Sequence, residues 1–266
     1  YSTDLLVSLI LLWLASGWLT GIPRKSRLVI LCLFLPVGLG LSYPAVFAAG
    51  AIAILFSYRA LQSRKRPEVV TCSVYGFLLV AAFGAIYFFF TRIQLDFELG
   101  TLGGRHMFSI WERTFPPLEQ PGRLALWLLR THTGRMFAYP VGGTDGGSVL
   151  SFICFFVGMT ALGKRKDKGA FLLFLSPFIL ALLAAAVRRY PYGYSARWML
   201  YLAPFICIAA GKGAALLLGK INDLSWRKRI TVALIAVLGM IGAGSIIRDL
   251  VRPYEEERLG AWAGSV

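Results

Sequence analysis

The sequence predicts an all-α fold: a polytopic integral membrane helix bundle of about eight spans, with one long extracytoplasmic loop bearing short surface helices. Three observations carry that expectation. Hydrophobic residues make up 57% of the 266 and charged residues only 15%, against roughly 25% charged in an average soluble domain. Mean hydropathy is +0.67, which excludes a disordered chain because disorder requires low hydrophobicity. The apolar residues fall in runs of span length, and the basic residues collect in short clusters between them, as they do where spans alternate with cytoplasmic loops.

A helix needs about 20 apolar residues to cross a hydrocarbon core of about 30 Å. The first such stretch runs from Leu5 to Ile22 and is followed by Pro23-Arg24-Lys25-Ser26-Arg27. The apolar region Leu28 to Ala60 would extend about 50 Å as one helix, too long for a single crossing. Ser42-Tyr43-Pro44 divides it into the second and third spans, because the residue before a proline is pushed out of the α region. Cys72 to Phe90 is the fourth. From Thr91 to Gly147 the pattern changes to six Arg, five acids and two His with no long apolar run. A connection of that length is functional or partly structured. Two short amphipathic helices are expected within it, around Phe108 to Thr114 and Arg123 to Thr131, lying at the membrane surface. The remaining spans are Val149 to Leu162, Gly169 to Val187, Trp198 to Leu218 and Ile230 to Ile247, followed by a tail with Glu255, Glu256 and Glu257.

The organisation this implies is spans one to four in 1–90, an extracytoplasmic loop in 91–147, spans five to eight in 148–247 and an extracytoplasmic tail in 248–266. Orientation follows from the positive-inside rule. The loops after spans one, three, five and seven hold 15 of the 28 basic residues, and every Lys except Lys212 lies in them. The opposite face carries Arg alone among the strong bases, together with ten of the 13 acids when Asp4 is counted there. This placement also decides the meaning of the net charge of +15. A nucleic-acid partner is not expected, because the bases sit in membrane loops and not on one continuous patch. Cys32, Cys72, Cys154 and Cys207 lie in apolar stretches without metal or disulfide spacing, and read as small core residues. The chain opens on Tyr1 without an initiator Met or a signal peptide, which reads as part of a longer protein.

Motifs of soluble enzymes are absent: there is no GxGxxG after a strand, no GxxxxGK[ST], no HExxH and no GxSxG. Functional candidates therefore come from polar residues at the outward face. The first is the turn Arg188-Arg189-Tyr190-Pro191-Tyr192-Gly193-Tyr194-Ser195-Ala196-Arg197. Three Arg at a hydrocarbon edge need anionic partners, and the planar guanidinium fork suits phosphate oxygens. Arg188, Arg189 and Arg197 are thus donor-phosphate candidates, with snorkelling to lipid headgroups and an aromatic belt of Tyr as the alternative. The second is His132-Thr133-Gly134-Arg135-Met136-Phe137-Ala138-Tyr139-Pro140. His132, Arg135, Tyr139 and Tyr192 are candidates for the substrate loop, His132 being the side chain suited to proton transfer, although a lone loop His is more often structural. Asp96, Glu98, Glu112, Glu119 and Asp145 face outward without a spacing that marks a carboxylate pair. No catalytic base is nominated.

Three stretches taken together carry a resemblance. Ser42-Tyr43-Pro44-Ala45-Val46-Phe47 opens a span, and His132-Thr133-Gly134 is followed by Phe137-Ala138-Tyr139-Pro140-Val141-Gly142. The third is Tyr190-Pro191-Tyr192-Gly193 with Arg197 and Leu200-Tyr201-Leu202-Ala203-Pro204. They resemble bacterial multi-pass glycosyltransferases of the family 39-like type, within the broad GT-C class. That class is similar to the dolichyl-phosphate-mannose protein mannosyltransferases and the lipid A aminoarabinose transferase. The resemblance spans nearly the whole chain, as the C-terminal half of such proteins. It implies a multi-pass protein of the bacterial plasma membrane that transfers a sugar from a polyprenyl-phosphate donor to an acceptor at the outer face. It also implies that Arg188, Arg189 and Arg197 occupy the place where a basic residue holds the donor phosphate. The class carries its catalytic acid in a first outward loop near the N-terminus, so the base is carried over to no residue here. No cofactor is implied beyond the lipid-linked sugar, and a divalent ion is left open. Two other readings share the composition: a surface-polysaccharide polymerase or ligase working on diphosphate-linked oligosaccharides, and a transporter, flippase or non-catalytic membrane subunit. Transporters place ionisable groups at mid-membrane or break helices in paired repeats, and only Lys212 lies within a span.

Overall fold

The computed structural model describes residues 2–19, 25–92, 112, 114–139, 142–143, 146–193 and 195–251. They form nine α-helices: α1 Ser2–Leu19, α2 Lys25–Leu41, α3 Ala45–Ser63, α4 Arg66–Ile86, α5 Pro121–Thr133, α6 Val149–Gly163, α7 Gly169–Ala186, α8 Ala203–Leu218 and α9 Leu224–Val251. A π-helical turn, Tyr87–Thr91, extends α4, and 3-10 turns at Arg135–Phe137 and Leu200–Leu202 follow α5 and precede α8. No strand occurs among the described residues. The surface helix expected around Phe108 to Thr114 lies almost wholly outside them, as do Tyr194 and the acidic tail.

Five helical segments are long and apolar enough to cross a bilayer: Ser2–Leu19, Ala45–Ser63, Arg66–Phe89, Gly169–Ala186 and Leu200–Leu218. That is the signature of a membrane protein. The eight expected spans fall on α1 to α4 and α6 to α9, and five rather than eight meet span length and apolarity among the described residues. Two of the others, α2 and α6, are 17 and 15 residues long, at and below the lower end of the length that crosses a bilayer. The break expected between the second and third spans is present, with α2 ending at Leu41 and α3 starting at Ala45 directly after Pro44.

The chain divides into two compact units, Tyr1–Ala215 and Leu216–Val266. In the first, α3 lies against α1, α4 and α7, and its buried face is dominated by Ala45, Ala48, Ala49 and Ala51 with Ile52, Leu55 and Phe56. Small side chains let backbones approach, which matters in lipid because there is no hydrophobic force between helices and van der Waals packing must hold them. The same device joins α6 to α8, where a Cβ on Gly213 would stand 1.8 Å from the Cys154 carbonyl oxygen and one on Gly158 would stand 2.0 Å from that of Ala209. Against this, α4 buries only Tyr75, whose hydroxyl donates to the Ala49 carbonyl at 3.2 Å. The rest of α4 turns Phe77 and Val80 outward, 73% and 72% exposed, as suits a helix whose solvent is lipid.

Two sets of contacts define the ends of this unit. At one, Ser42 Oγ donates to Asp4 Oδ1 at 2.6 Å, and Tyr190 packs on Tyr43, Phe47 and Tyr201. At the other, Arg59 Nη2 donates to the Trp18 carbonyl at 2.9 Å and to Asp167 Oδ2 at 2.6 Å, while the Lys168 N–H donates to Tyr58 Oη at 3.0 Å. The start of α1 thus meets the α2–α3 turn, and its end meets the end of α3 and the α6–α7 turn, as an up-and-down bundle requires. In the second unit α9 begins at a capped end, with the backbone N–H groups of Ser225 and Trp226 donating to Asp223 Oδ1 at 2.7 and 3.3 Å, a side-chain N-cap.

Candidate functional site

The loop after α7 begins with a left-handed turn. Arg188 has φ 56°, its N–H donates to the Ala185 carbonyl at 2.9 Å, and the Arg189 N–H donates to that of Ala184 at 2.8 Å. This nested pair is the Schellman closure of a helix. Glycine usually takes the left-handed position because a Cβ there costs about 1–2 kcal/mol; here an arginine takes it. Arg188 and Arg189 emerge exposed, and the chain then dives: Pro191, Tyr192 and Gly193 are buried before Arg197 returns to the surface. Met199, Tyr201 and Leu202 are again buried. Buried aromatics, Tyr192 and Tyr201, therefore pin the loop at its middle and its end, with Arg188 and Arg189 exposed before the first pin and Arg197 exposed between the two.

The buried middle rests on α5. His132 is the hinge of that contact. Its Nδ1 lies 2.7 Å from the Leu128 carbonyl oxygen and its Nε2 lies 3.1 Å from Tyr192 Oη. A carbonyl only accepts, so Nδ1 carries the hydrogen, and the neutral ring's Nε2 accepts from the Tyr192 hydroxyl. The rings of Phe137, Phe152 and Tyr192 surround it with centroids 5.6, 6.0 and 5.8 Å away. Burial lowers the His132 pKa, and the hydrogen bond to Leu128 offsets this only in part, since an apolar cage penalises the charged form. One residue earlier, Thr131 touches the loop so closely that a Cβ on Gly193 would stand 2.0 Å from Thr131 Cγ2, and Gly193 has φ 77°. Both the space and the backbone at this position require glycine.

A further tie comes from Tyr139, whose hydroxyl donates to the Ala196 carbonyl at 2.5 Å. Desolvation, with Cys207 nearby, pushes its pKa up to about 12, so it remains a donor over any physiological pH. Burial pushes Tyr192 higher still, with the same consequence. The loop 188–197 is thus tied at three points. Two of them, His132–Tyr192 and Tyr139–Ala196, lie between the stretches 132–140 and 188–197 singled out in the sequence, and the third runs through Thr131 just before the first stretch. Arg135 is exposed and stands apart from these three ties. Tyr43, beside the same end, has its pKa raised by burial and by Tyr87 and lowered by the charge of Arg189, which brings Arg189 within electrostatic reach of the α2–α3 turn.

Sequence reasoning missed Asp4 and Ser42 as a bonded pair, and it missed the ring cluster of Phe47, Tyr190 and Tyr201 that floors the loop. A carboxylate at the start of a span followed by no base was the only sign of the first. Asp96, Glu98 and Asp145 lie outside the described residues. Among the described residues no three His, Cys, Asp or Glu side chains converge as a metal set. The arrangement can present a group of guanidiniums to an anion at the bundle end while buried phenols and one neutral imidazole hold their loop still. No protein-family model, curated protein or solved structure matches the chain.

Proposed function

We propose that the chain is the C-terminal part of a membrane glycosyltransferase of the bacterial plasma membrane. In this reading it transfers a sugar from a polyprenyl-phosphate donor to an acceptor at the outer face. The observation that best supports the reading is the loop 188–197, whose arginines are exposed while Pro191, Tyr192 and Gly193 between them are buried. A charge cluster presented on a pinned loop costs little reorganisation when an anion arrives, which is what electrostatic stabilisation of a leaving phosphate demands. In the transfer, an acceptor hydroxyl oxygen would form a bond to the anomeric carbon and give up its proton to the carboxylate that the resemblance places in a first outward loop near the N-terminus. The bond from that carbon to the phosphate oxygen would break, and the phosphate would leave with the bonding electron pair. Arg188, Arg189 and Arg197 would take up the charge that gathers on it. His132 acts through Tyr192, as a positioning residue for the loop. The polyprenyl tail would lie along the apolar exterior of the bundle, in lipid.

The test uses the chain within its full-length protein, purified in detergent and offered radiolabelled polyprenyl-monophosphate and polyprenyl-diphosphate sugars. Saturable binding of a monophosphate sugar, reduced about tenfold or more by Arg197→Ala or by Arg188→Ala with Arg189→Ala, is expected, since each charge-assisted bond is worth about 1.5–3 kcal/mol. Arg188→Gly separates charge from folding. It relieves the left-handed strain and should raise thermal stability by up to about 1–2 kcal/mol while weakening binding as Arg188→Ala does. Wild-type binding in all of these variants would sink the phosphate site. Preference for a diphosphate-linked oligosaccharide would move the protein to the polymerase or ligase class, and binding of neither carrier would favour a transporter or a non-catalytic subunit.

A further inference from the structure

Helix α5 presents two apolar faces, and among the described residues only one of them is packed. Leu124, Trp127, Leu128, Thr131 and His132 are half-buried, a spacing that lays one stripe of the helix on the bundle. On the opposite side Leu126 and Leu129 are 47% and 57% exposed, and Leu118 in the turn before the helix is 56% exposed. Beside that second stripe stand Arg123 and Arg130, both exposed, two turns apart and therefore on one line along the helix. Pro121–Thr133 contains no acid, and neither arginine has an ion-pair partner among the described residues.

The depth of the helix is set by its C-terminal end. The Thr133 carbonyl accepts from the Ser148 N–H at 2.9 Å, immediately before α6 starts at Val149. His132 packs on Phe152, and Phe137, fully buried, packs on Phe155 and Phe178 with centroids 5.0 and 5.8 Å away. The end of α5 therefore lies level with the first two turns of α6, an apolar helix; with α6 entering a bilayer at that end, this level would be the boundary of hydrocarbon and headgroups. A water-facing helix has no use for a leucine stripe at that depth, and an acyl-facing one must pair its guanidiniums.

We propose that α5 is an interfacial helix that binds anionic phospholipid, with Leu126 and Leu129 among the acyl chains of the leaflet at that end of the bundle and Arg123 and Arg130 on lipid phosphates. The proposal rests on the chain being a membrane protein and not on sugar transfer. The occupant is a bilayer lipid because the leaflet surface sets acyl chains and phosphates side by side along the whole length of a helix lying in it, matching the leucine and arginine lines.

The experiment uses the full chain with Cys32, Cys72, Cys154 and Cys207 replaced by Ala and a spin label at Leu126→Cys, in vesicles of phosphatidylcholine and phosphatidylglycerol. Relaxation by dissolved oxygen should exceed relaxation by a water-soluble nickel chelate. Stronger relaxation by nickel places the stripe in water, and shielding from both reagents places it against protein; either result overturns the proposal. In parallel, native mass spectrometry of protein extracted from the same vesicles reads the ratio of phosphatidylglycerol to phosphatidylcholine retained. Arg123→Gln and Arg130→Gln should each lower that enrichment about fivefold. An unchanged ratio in the double variant overturns the phosphate contact even if the stripe is in lipid.

Discussion

His132 shows how one residue can tie folding to pH. Its neutral ring accepts from Tyr192 and donates to Leu128 inside a cage of three aromatic rings, and burial holds its pKa below the ordinary histidine value. The unfolded chain takes up a proton near pH 6.5, whereas the folded chain does so only at lower pH. Between those two points the unfolded state binds more protons, so stability falls as pH falls; above about 6.5 the effect is flat. One proton limits the slope to about 1.4 kcal/mol per pH unit. Thermal unfolding in detergent between pH 7.5 and pH 5 should show this decline in the wild-type chain and a shallower one in His132→Gln. Equal slopes would mean that His132 titrates as it does in water, and that its bond to Tyr192 is not the buried contact described above.

At the scale of the element, the bundle is held by close approach more than by bulk. The crossing of α6 and α8 is the clearest case, because Gly158 and Gly213 each face a backbone carbonyl across the interface, and a carbonyl cannot rotate aside as a side chain can. Gly213→Ala should force the helices apart and destabilise by about 3 kcal/mol or more, in the range of severe overpacking. Gly211 lies two residues away on the same helix, and a methyl group added there would meet nothing within 4 Å. Gly211→Ala should therefore be neutral or stabilise by up to about 1 kcal/mol through helix propensity. Melting temperatures of the two variants side by side test this, and similar losses in both would show that glycine is needed for some reason other than the crossing. None of this was legible in the sequence, where Gly158, Gly211 and Gly213 look alike. What could be read was what is written locally: the Pro44 break, the basic punctuation between apolar runs and the amphipathic stretch from Arg123 to Thr131, which is helical from Pro121 to Thr133. The joining of His132 to Tyr192 and of Tyr139 to Ala196 could not be read, since the partners are 60 and 57 residues apart and no local pattern records such a pairing.

For the molecule as a whole, the structure orders the ends of the Tyr1–Ala215 unit and leaves their sidedness to charge. The end where Arg59 bridges Trp18 and Asp167 is also where α2 begins with Lys25 and Arg27, α3 gives way to Arg64, Lys65 and Arg66, and Lys164, Arg165, Lys166 and Lys168 join α6 to α7. The other end holds Asp4, Ser42 and the loop of Arg188, Arg189 and Arg197. Both ends are basic, but only the first gathers lysine, and short lysine-rich loops are retained in the cytoplasm during insertion. The bridge itself adds little to this choice, since Asp167 is 44% exposed and such pairs contribute about 0–1 kcal/mol. Single cysteines at Lys166 and Arg197 in the Cys-free chain decide the matter with a membrane-impermeant maleimide on intact cells. Arg197→Cys should react at once and Lys166→Cys only after permeabilisation. The reverse pattern would put the arginine loop in the cytoplasm, where a sugar donor facing the outer side could not meet it, and the proposed transferase would fail on topology before any assay of chemistry. The matched pattern would place the pinned loop, the Asp4–Ser42 pair and the α5 lipid surface on one outward face. The donor site and its membrane support would then be parts of a single structure that only long-range packing assembles.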